Sequence, residues 1–283
     1  MLLMRDPIHD TVDASGAQAA GLSTPLMPAR EEHPKAADCR FVIVAPTYDH
    51  APSLDAVLTQ LDALGLPVIV VDDGSRDGTA ELLRGWTLGG SSRRIVVRHA
   101  SNRGKAGALR SGFAEAESRG FTHAATIDTD GQHNPDDLGY LLEASRLNPS
   151  AIVIGARPDR VPGYPWPGRF GRAVSNLLIR IECGVRVFDS QSGMRIYPLR
   201  TVSSLGCRTG RYAFESEVLV RAGWAGVSVL ERPISCTYHP PGGRVSHFRL
   251  GRDTLRGLTM HTGLLGRALL RWCGIGNRYR IRR

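Results

Sequence analysis

Residues 124–133, Ala124-Ala125-Thr126-Ile127-Asp128-Thr129-Asp130-Gly131-Gln132-His133, decide the fold. Four uncharged residues, Ala124–Ile127, break into a polar stretch with aspartates at i and i+2. A short apolar run ending this way reads as a buried parallel strand whose carboxyl end opens on a ligand site. Two carboxylates spaced by two at a strand end point to the same side. Flanked by an amide and an imidazole, they suit a divalent ion bound through oxygen, with positions left open for a second ligand. Taken alone, the segment is equally an Asx-rich turn in which Asp130 or Asn134 caps the next helix.

The same grammar repeats upstream. Phe41–Ala45, Pro67–Val71 and Ile95–Arg98 read as strands. Helices are expected from about Ser53, as N-cap, to Leu64, then over Asp77–Leu83 and Lys105–Glu117. Downstream, Pro135–Leu147 reads as a helix and Ala151–Ile154 as a fifth strand. Strands alternating with helices imply a parallel sheet covered on both faces. Beyond residue 155 the texture changes. Pro158–Pro167 is a proline-rich loop, Phe170–Ile181 a helix, and Asp189–Tyr197, Glu215–Val220 and Val227–Tyr238 form a mixed half.

In such sheets, ligands lie beyond the strand ends. Asp72-Asp73-Gly74-Ser75 follows the second strand; a carboxylate there accepts hydrogen bonds from a base or ribose, or simply caps the next helix. Asn102-Arg103-Gly104-Lys105-Ala106-Gly107 follows the third, where a helix N-terminus favours anions. It is not a Walker A loop. Lys105 is one of only two lysines beside 34 arginines. In the second half, Asp189, Glu215 and Glu217 are each able to take a proton from an acceptor hydroxyl, or belong merely to a turn and a helix start.

In this order, Val44-Ala45-Pro46-Thr47-Tyr48, Val71-Asp72-Asp73-Gly74-Ser75, Asn102-x-Gly104-Lys105, Asp128-Thr129-Asp130-Gly131-Gln132-His133 and Asp189-x-x-Ser192-Gly193-x-Arg195 resemble the family 2 glycosyltransferases, especially the dolichyl/polyprenyl-phosphate mannosyl- and glucosyltransferase branch. The resemblance implies an α/β GT-A fold, Rossmann-like, with a mainly parallel central sheet. It implies that Pro46, Tyr48, Asp72 and Asp73 contact the nucleotide and that Lys105 lies near the base or ribose. Asp128, Asp130 and Gln132 would hold Mg²⁺ or Mn²⁺ and the sugar diphosphate, with Asp128 also on the donor. The implied reaction inverts the anomeric centre, moving a hexose from a GDP- or UDP-sugar to a lipid-linked acceptor such as polyprenyl phosphate or to a hydroxylated lipid. Where the nucleophile is a phosphate, basic residues hold it; Arg157 and Arg172, with Gln191, stand where acceptor contacts are expected. Arg244 and His247 fall where a loop of the family closes over the diphosphate. Two departures bear on donor recognition: Tyr48-Asp49-His50 replaces the usual Tyr-Asn-Glu, and Gly104-Lys105-Ala106 the usual Gly-Lys-Gly. The alternatives are a soluble glycan or protein acceptor, or a non-catalytic nucleotide-sugar-binding module.

The chain has 283 residues and a net charge of +9. Residues 244–283 carry ten arginines and one acid, Asp253, so residues 1–243 are neutral overall. That asymmetry, without interleaved aromatics, speaks against a nucleic-acid binder. The expected organisation is a disordered leader over 1–40, a glycosyltransferase domain over 41–243 with a nucleotide-sugar half (41–155) and an acceptor half (156–243), and a basic tail. Within the tail, Asp253–Trp272 reads as an amphipathic helix with Leu255, Leu258, Leu265, Leu269 and Trp272 on one face. It either meets an anionic membrane or packs that stripe on the body. Five scattered cysteines argue against a disulfide framework. With no signal-peptide h-region and no apolar run long enough to span a bilayer, the expected location is cytoplasmic, peripheral to the membrane, in cell-envelope synthesis.

Overall fold

Strand β1, Phe41–Thr47, is buried along its whole length. Its alternate residues serve opposite layers: Val42 and Val44 join one apolar cluster, Phe41, Ile43 and Ala45 the other. That is the reason for its unbroken apolar run. The computed structural model of the chain describes residues 38–89, 91–159, 164, 166–210, 213–238 and 250–273, with side chains of the last segment described from residue 257. The leader expected over 1–40 falls almost wholly outside these residues.

From β1 the chain runs through α1 (Ala51–Ala63), β2 (Val68–Asp72), α2 (Thr79–Leu88), β3 (Arg94–Arg98), α3 (Lys105–Ser118), β4 (His123–Thr126), a 3-10 turn (Pro135–Asp137), α4 (Leu138–Leu147) and β5 (Ile152–Ala156). There follow α5 (Trp166–Cys183), β6 (Arg195–Pro198), α6 (Leu199–Ser204), α7 (Ala213–Ala225), β7 (Val229–Pro233) and α8 (Leu250–Trp272). The seven strands form one sheet in the order β3-β2-β1-β4-β6-β5-β7. All neighbours are parallel except β6, which runs antiparallel between β4 and β5. Helix α3 lies close over β1, since a Cβ at Gly112 would come within 2.4 Å of Val44 Cγ1.

Several boundaries differ from the sequence expectation, each for a local reason. Helix α1 starts at Ala51, not after a Ser53 cap: the Asp77 carboxylate takes the Ala51 N–H at 2.9 Å, freeing Ser53 Oγ to donate to the Thr129 carbonyl. Asp77 also accepts from Thr79, so α2 begins at Thr79. It runs on to Leu88 because Trp86 is held by Asp62. Within the mixed half, Glu215–Val220 is helical, the middle of α7.

Helix α8 packs on the body, but through a face other than the expected stripe. It buries Met260, His261, Leu264 and Ala268. His261 Nδ1 is 2.9 Å from Glu182 of α5, and Arg271 donates to the Trp224 carbonyl of α7. Leu258, Leu269 and Trp272 are left exposed, as is Arg267. Leu265 is half-buried; the side chain of Leu255 lies outside the described residues.

Candidate active site

The carboxyl ends of β2, β1 and β4 bring three loops together. Asp72 ends β2 fully buried; its Oδ1 accepts from the Ser75 N–H, and Arg98 Nε lies 3.2 Å from Oδ2. Asp73 spends both oxygens on the loop ahead of α3, accepting from the N–H groups of Arg103 (2.8 Å) and Gly104 (2.7 Å) and from His99 at 2.6 Å. Tyr48 is half-buried after β1. The Pro46 carbonyl accepts from Thr129 Oγ1 at 3.1 Å. Thr129 also meets His50 Nδ1 at 2.8 Å, so the histidine that departs from the family pattern anchors the residue between the two aspartates.

Lys105, at the first position of α3, reaches across the strand ends. Its Nζ is 2.5 Å from Asp128 Oδ1 and 2.7 Å from Glu215 Oε1 on α7. Burial opposes the charge on this lysine, but the two carboxylates outweigh it and raise its pKa. Asp128 is likewise disfavoured by burial, and the Lys105 ammonium more than reverses this, lowering its pKa. At Asp130 the balance is reversed: burial first, then the Asp128 charge, raise its pKa by more than His133 and Lys105 lower it. Its Oδ1 accepts from the Gln132 N–H, and Gln132 is buried beside a polar cavity of about 220 Å³ that also touches His133, Asn134 and Cys236. Gly193 closes the cluster. A Cβ there would stand 2.2 Å from Asp128 Oδ2 and 2.7 Å from Lys105 Nζ, so only glycine allows the backbone this near.

In the second half of the chain, Asp189 is fully buried and gripped by Arg157 through Nε (2.6 Å), Nη2 (2.9 Å) and the backbone N–H (3.1 Å). Arg172 Nη1 is 3.5 Å from the same carboxylate and donates to the Arg157 carbonyl. Burial works against ionised Asp189, but these arginines prevail and hold its pKa below the ordinary range. Both guanidinium groups lie over the ring of Tyr164, which stacks on Tyr238 at 4.7 Å. Glu231 accepts the N–H groups of Phe188 and Asp189 and so fixes the loop. Arg195 is wholly buried and donates to the carbonyls of Ser190, Ser192 and Glu215, tying this loop to α7. Gln191 is exposed. The segment Cys236–Tyr238 joins the two clusters: Cys236 bridges His133, the Thr237 N–H donates to the Gln132 carbonyl, and the Tyr238 hydroxyl accepts from Arg157 at 3.3 Å.

The sequence-expected residues thus divide. Lys105, Asp128 and Glu215 meet, and Arg157, Arg172 and Asp189 meet. Lys105 contacts the carboxylates of Asp128 and Glu215. Glu217 stands apart: it accepts from Arg208, Thr209 and Arg221 and braces the turn before α7. Arg244 and His247 lie outside the described residues. Sequence reasoning missed His50, Tyr164, Glu231 and Tyr238. Only His50 carried a signal, as the residue departing from the Tyr-Asn-Glu pattern.

The model of Glycosyl transferase family 2 matches residues 42–200. The polyprenol monophosphomannose synthase of Mycolicibacterium smegmatis is 30% identical over 208 residues, 70% of this chain and 77% of that protein. The undecaprenyl-phosphate mannosyltransferase of Micrococcus luteus is 32% identical over 209 residues, 69% and 83% of the respective chains. Among solved structures, a mannosyltransferase from Pyrobaculum calidifontis in complex with GDP-Man and Mn²⁺ shares the fold with a TM-score of 0.53 at 17% identity, covering 83% of this chain and 66% of that one. Family model, relatives and GT-A architecture agree, and the chain belongs to glycosyl transferase family 2.

Proposed function

We propose that the enzyme moves a hexose from a GDP- or UDP-sugar to the phosphate of a polyprenyl phosphate, with inversion at the anomeric carbon. The observation that carries this reading is the pairing of Arg157 and Arg172 on the acceptor side. Neither Asp189 nor Glu217 there is an uncommitted base. Asp189 is bound by both arginines and its pKa is lowered. Glu217 is engaged by Thr209 and Arg221, and Glu215 by Lys105. A phosphate acceptor arrives already ionised. It needs cations to hold it, not a base to activate it. An acceptor phosphate oxygen attacks the anomeric carbon, the bond from that carbon to the diphosphate breaks, and the nucleoside diphosphate leaves. Asp189 then serves to aim the two guanidinium groups.

The donor side fits a hard divalent cation. Two oxygen-donor side chains flank the anchored Thr129, and a cation, the Lys105 ammonium, already sits on Asp128. Asp128, Asp130 and the Gln132 amide are the residues to hold Mg²⁺ or Mn²⁺. When bound, such an ion neutralises charge on the diphosphate leaving group. Residues 41–155 form the donor half on this reading and 156–243 the acceptor half. Pro46, Tyr48 and Asp72 border the nucleotide, Asp73 shapes the loop beneath it, and Arg244 and His247 close on the diphosphate. The test is a donor panel with polyprenyl phosphate and Mg²⁺ or Mn²⁺, read by product mass. A prenyl-phosphate hexoside is expected, and Asp130→Ala abolishes its formation while the variant stays folded. Absence of that product with every GDP- and UDP-hexose overturns the reading.

A further inference from the structure

Helix α5 faces two ways. Inward it buries Arg172, Ser175, Ile179 and Glu182. Outward it displays Trp166, Phe170, Val174, Leu177 and Ile181, spaced four, four, three and four residues apart. Trp166 is 70% exposed and Leu177 55%, and Trp166 stacks on Phe170 with ring centroids 5.5 Å apart. Phe188, 76% exposed, stands beside the helix, its carbonyl bound by Asn176. A stripe of five large apolar side chains on one helix, left exposed among the described residues, is not ordinary surface scatter.

The charges around the stripe say what covers it. The exposed ionic residues on α5 and in the turn after it are Arg169, Arg180 and Arg186. The helix has one acid, Glu182, which is turned inward onto His261. A second copy in an isologous contact would set these arginines against themselves. An apolar face rimmed by three exposed arginines, whose neighbouring acids are spent on Arg172 (Asp159) and on the Phe188 N–H (Glu231), with aromatics at one end, matches the interface of a bilayer containing anionic lipid.

We infer that the outer face of α5, with Phe188, docks the enzyme on an anionic membrane surface. The inference rests on the lipid-phosphate reading of the acceptor site and deepens it. The stripe covers 16 residues, roughly 24 Å of helix lying in the membrane plane. An interfacial helix sinks roughly 5–10 Å, which keeps its inner face at head-group height. That inner face carries Arg172, beside Arg157 and Asp189. A lipid-borne phosphate therefore enters the site from the bilayer plane without leaving the membrane.

The test uses the full chain and vesicles of phosphatidylcholine, with and without phosphatidylglycerol. Co-sedimentation is expected with the anionic vesicles and weakens with added salt. The double variant Phe170→Glu/Leu177→Glu alters only exposed positions; its far-ultraviolet spectrum and Tm match the parent, and its bound fraction falls at least roughly ten-fold. Its transfer to a short, water-soluble prenyl phosphate is unchanged, while transfer to a long-chain prenyl phosphate in vesicles drops. Unaltered vesicle binding by the double variant overturns the inference, as does a dimer-to-monomer change without loss of binding. If no prenyl phosphate accepts sugar yet binding still depends on these two residues, the proposed reaction fails and the docking surface stands.

Discussion

Lys105 joins two carboxylates from distant parts of the chain, Asp128 after β4 and Glu215 on α7. Removing a buried cation strands its partners, at a cost of about 3 kcal/mol. Lys105→Met is therefore expected to lower the unfolding midpoint of the metal-free protein. Mn²⁺ should restore part of the loss, giving the variant a larger midpoint gain than the parent in calorimetry. Asp130 adds a pH dependence. Burial and the Asp128 charge raise its pKa, so protons compete with a metal at higher pH than at an ordinary aspartate. Mn²⁺ affinity by titration calorimetry should weaken as pH falls through that raised value and recover above it. The placement of Asp72 and Asp128 at strand ends was legible in sequence because each follows its own apolar strand at short range. The pairing of Lys105 was not, because its partners lie 23 and 110 positions further along the chain. Glu231 was invisible for the same reason, since it holds the Asp189 N–H from 42 residues away.

Elements were legible where burial dictates composition. The parallel strands, buried on both faces, left apolar runs that any reading finds. Their ends shifted where a side chain from another element took over a cap, as Asp77 does for Ala51. Strand β6 was not legible: only Arg195–Pro198 pair, and their antiparallel direction follows from the neighbours they meet. Helix α8 shows the limit of periodicity. Two apolar stripes coexist on it, and the one with Met260, Leu264 and Ala268 packs against α5 and α7 because His261 and Arg271 find partners there. Leu264→Ala is expected to cost about 2–4 kcal/mol, against about 0.5 kcal/mol or less for Leu269→Ala on the open side. Denaturant titration of the two variants checks the contrast.

At the scale of the whole molecule, the net positive charge falls in residues 244–283, and within the neutral remainder the rim of α5 gathers Arg169, Arg180 and Arg186 locally. Among the described residues no helix is long and apolar enough to cross a membrane. Stability rests on the two apolar layers and not on cross-links, because all five thiols are unbridged. A reducing agent is therefore expected to leave the thermal unfolding midpoint unchanged, as differential scanning calorimetry with and without dithiothreitol would record.

The strand order has a consequence for how such enzymes are recombined. Strand β5 is separated from β4 by the returning β6, and it bonds only to β6 and β7. By backbone pairing, β5 is inherited with the segment that follows it. A chimera that trades acceptor preference between two relatives should therefore be spliced in the turn between α4 and β5, at residues 148–151. There the graft carries β5, β6 and β7 as one hydrogen-bonded block, and it must rebuild with its host the β4–β6 ladder and the His133–Cys236 bridge.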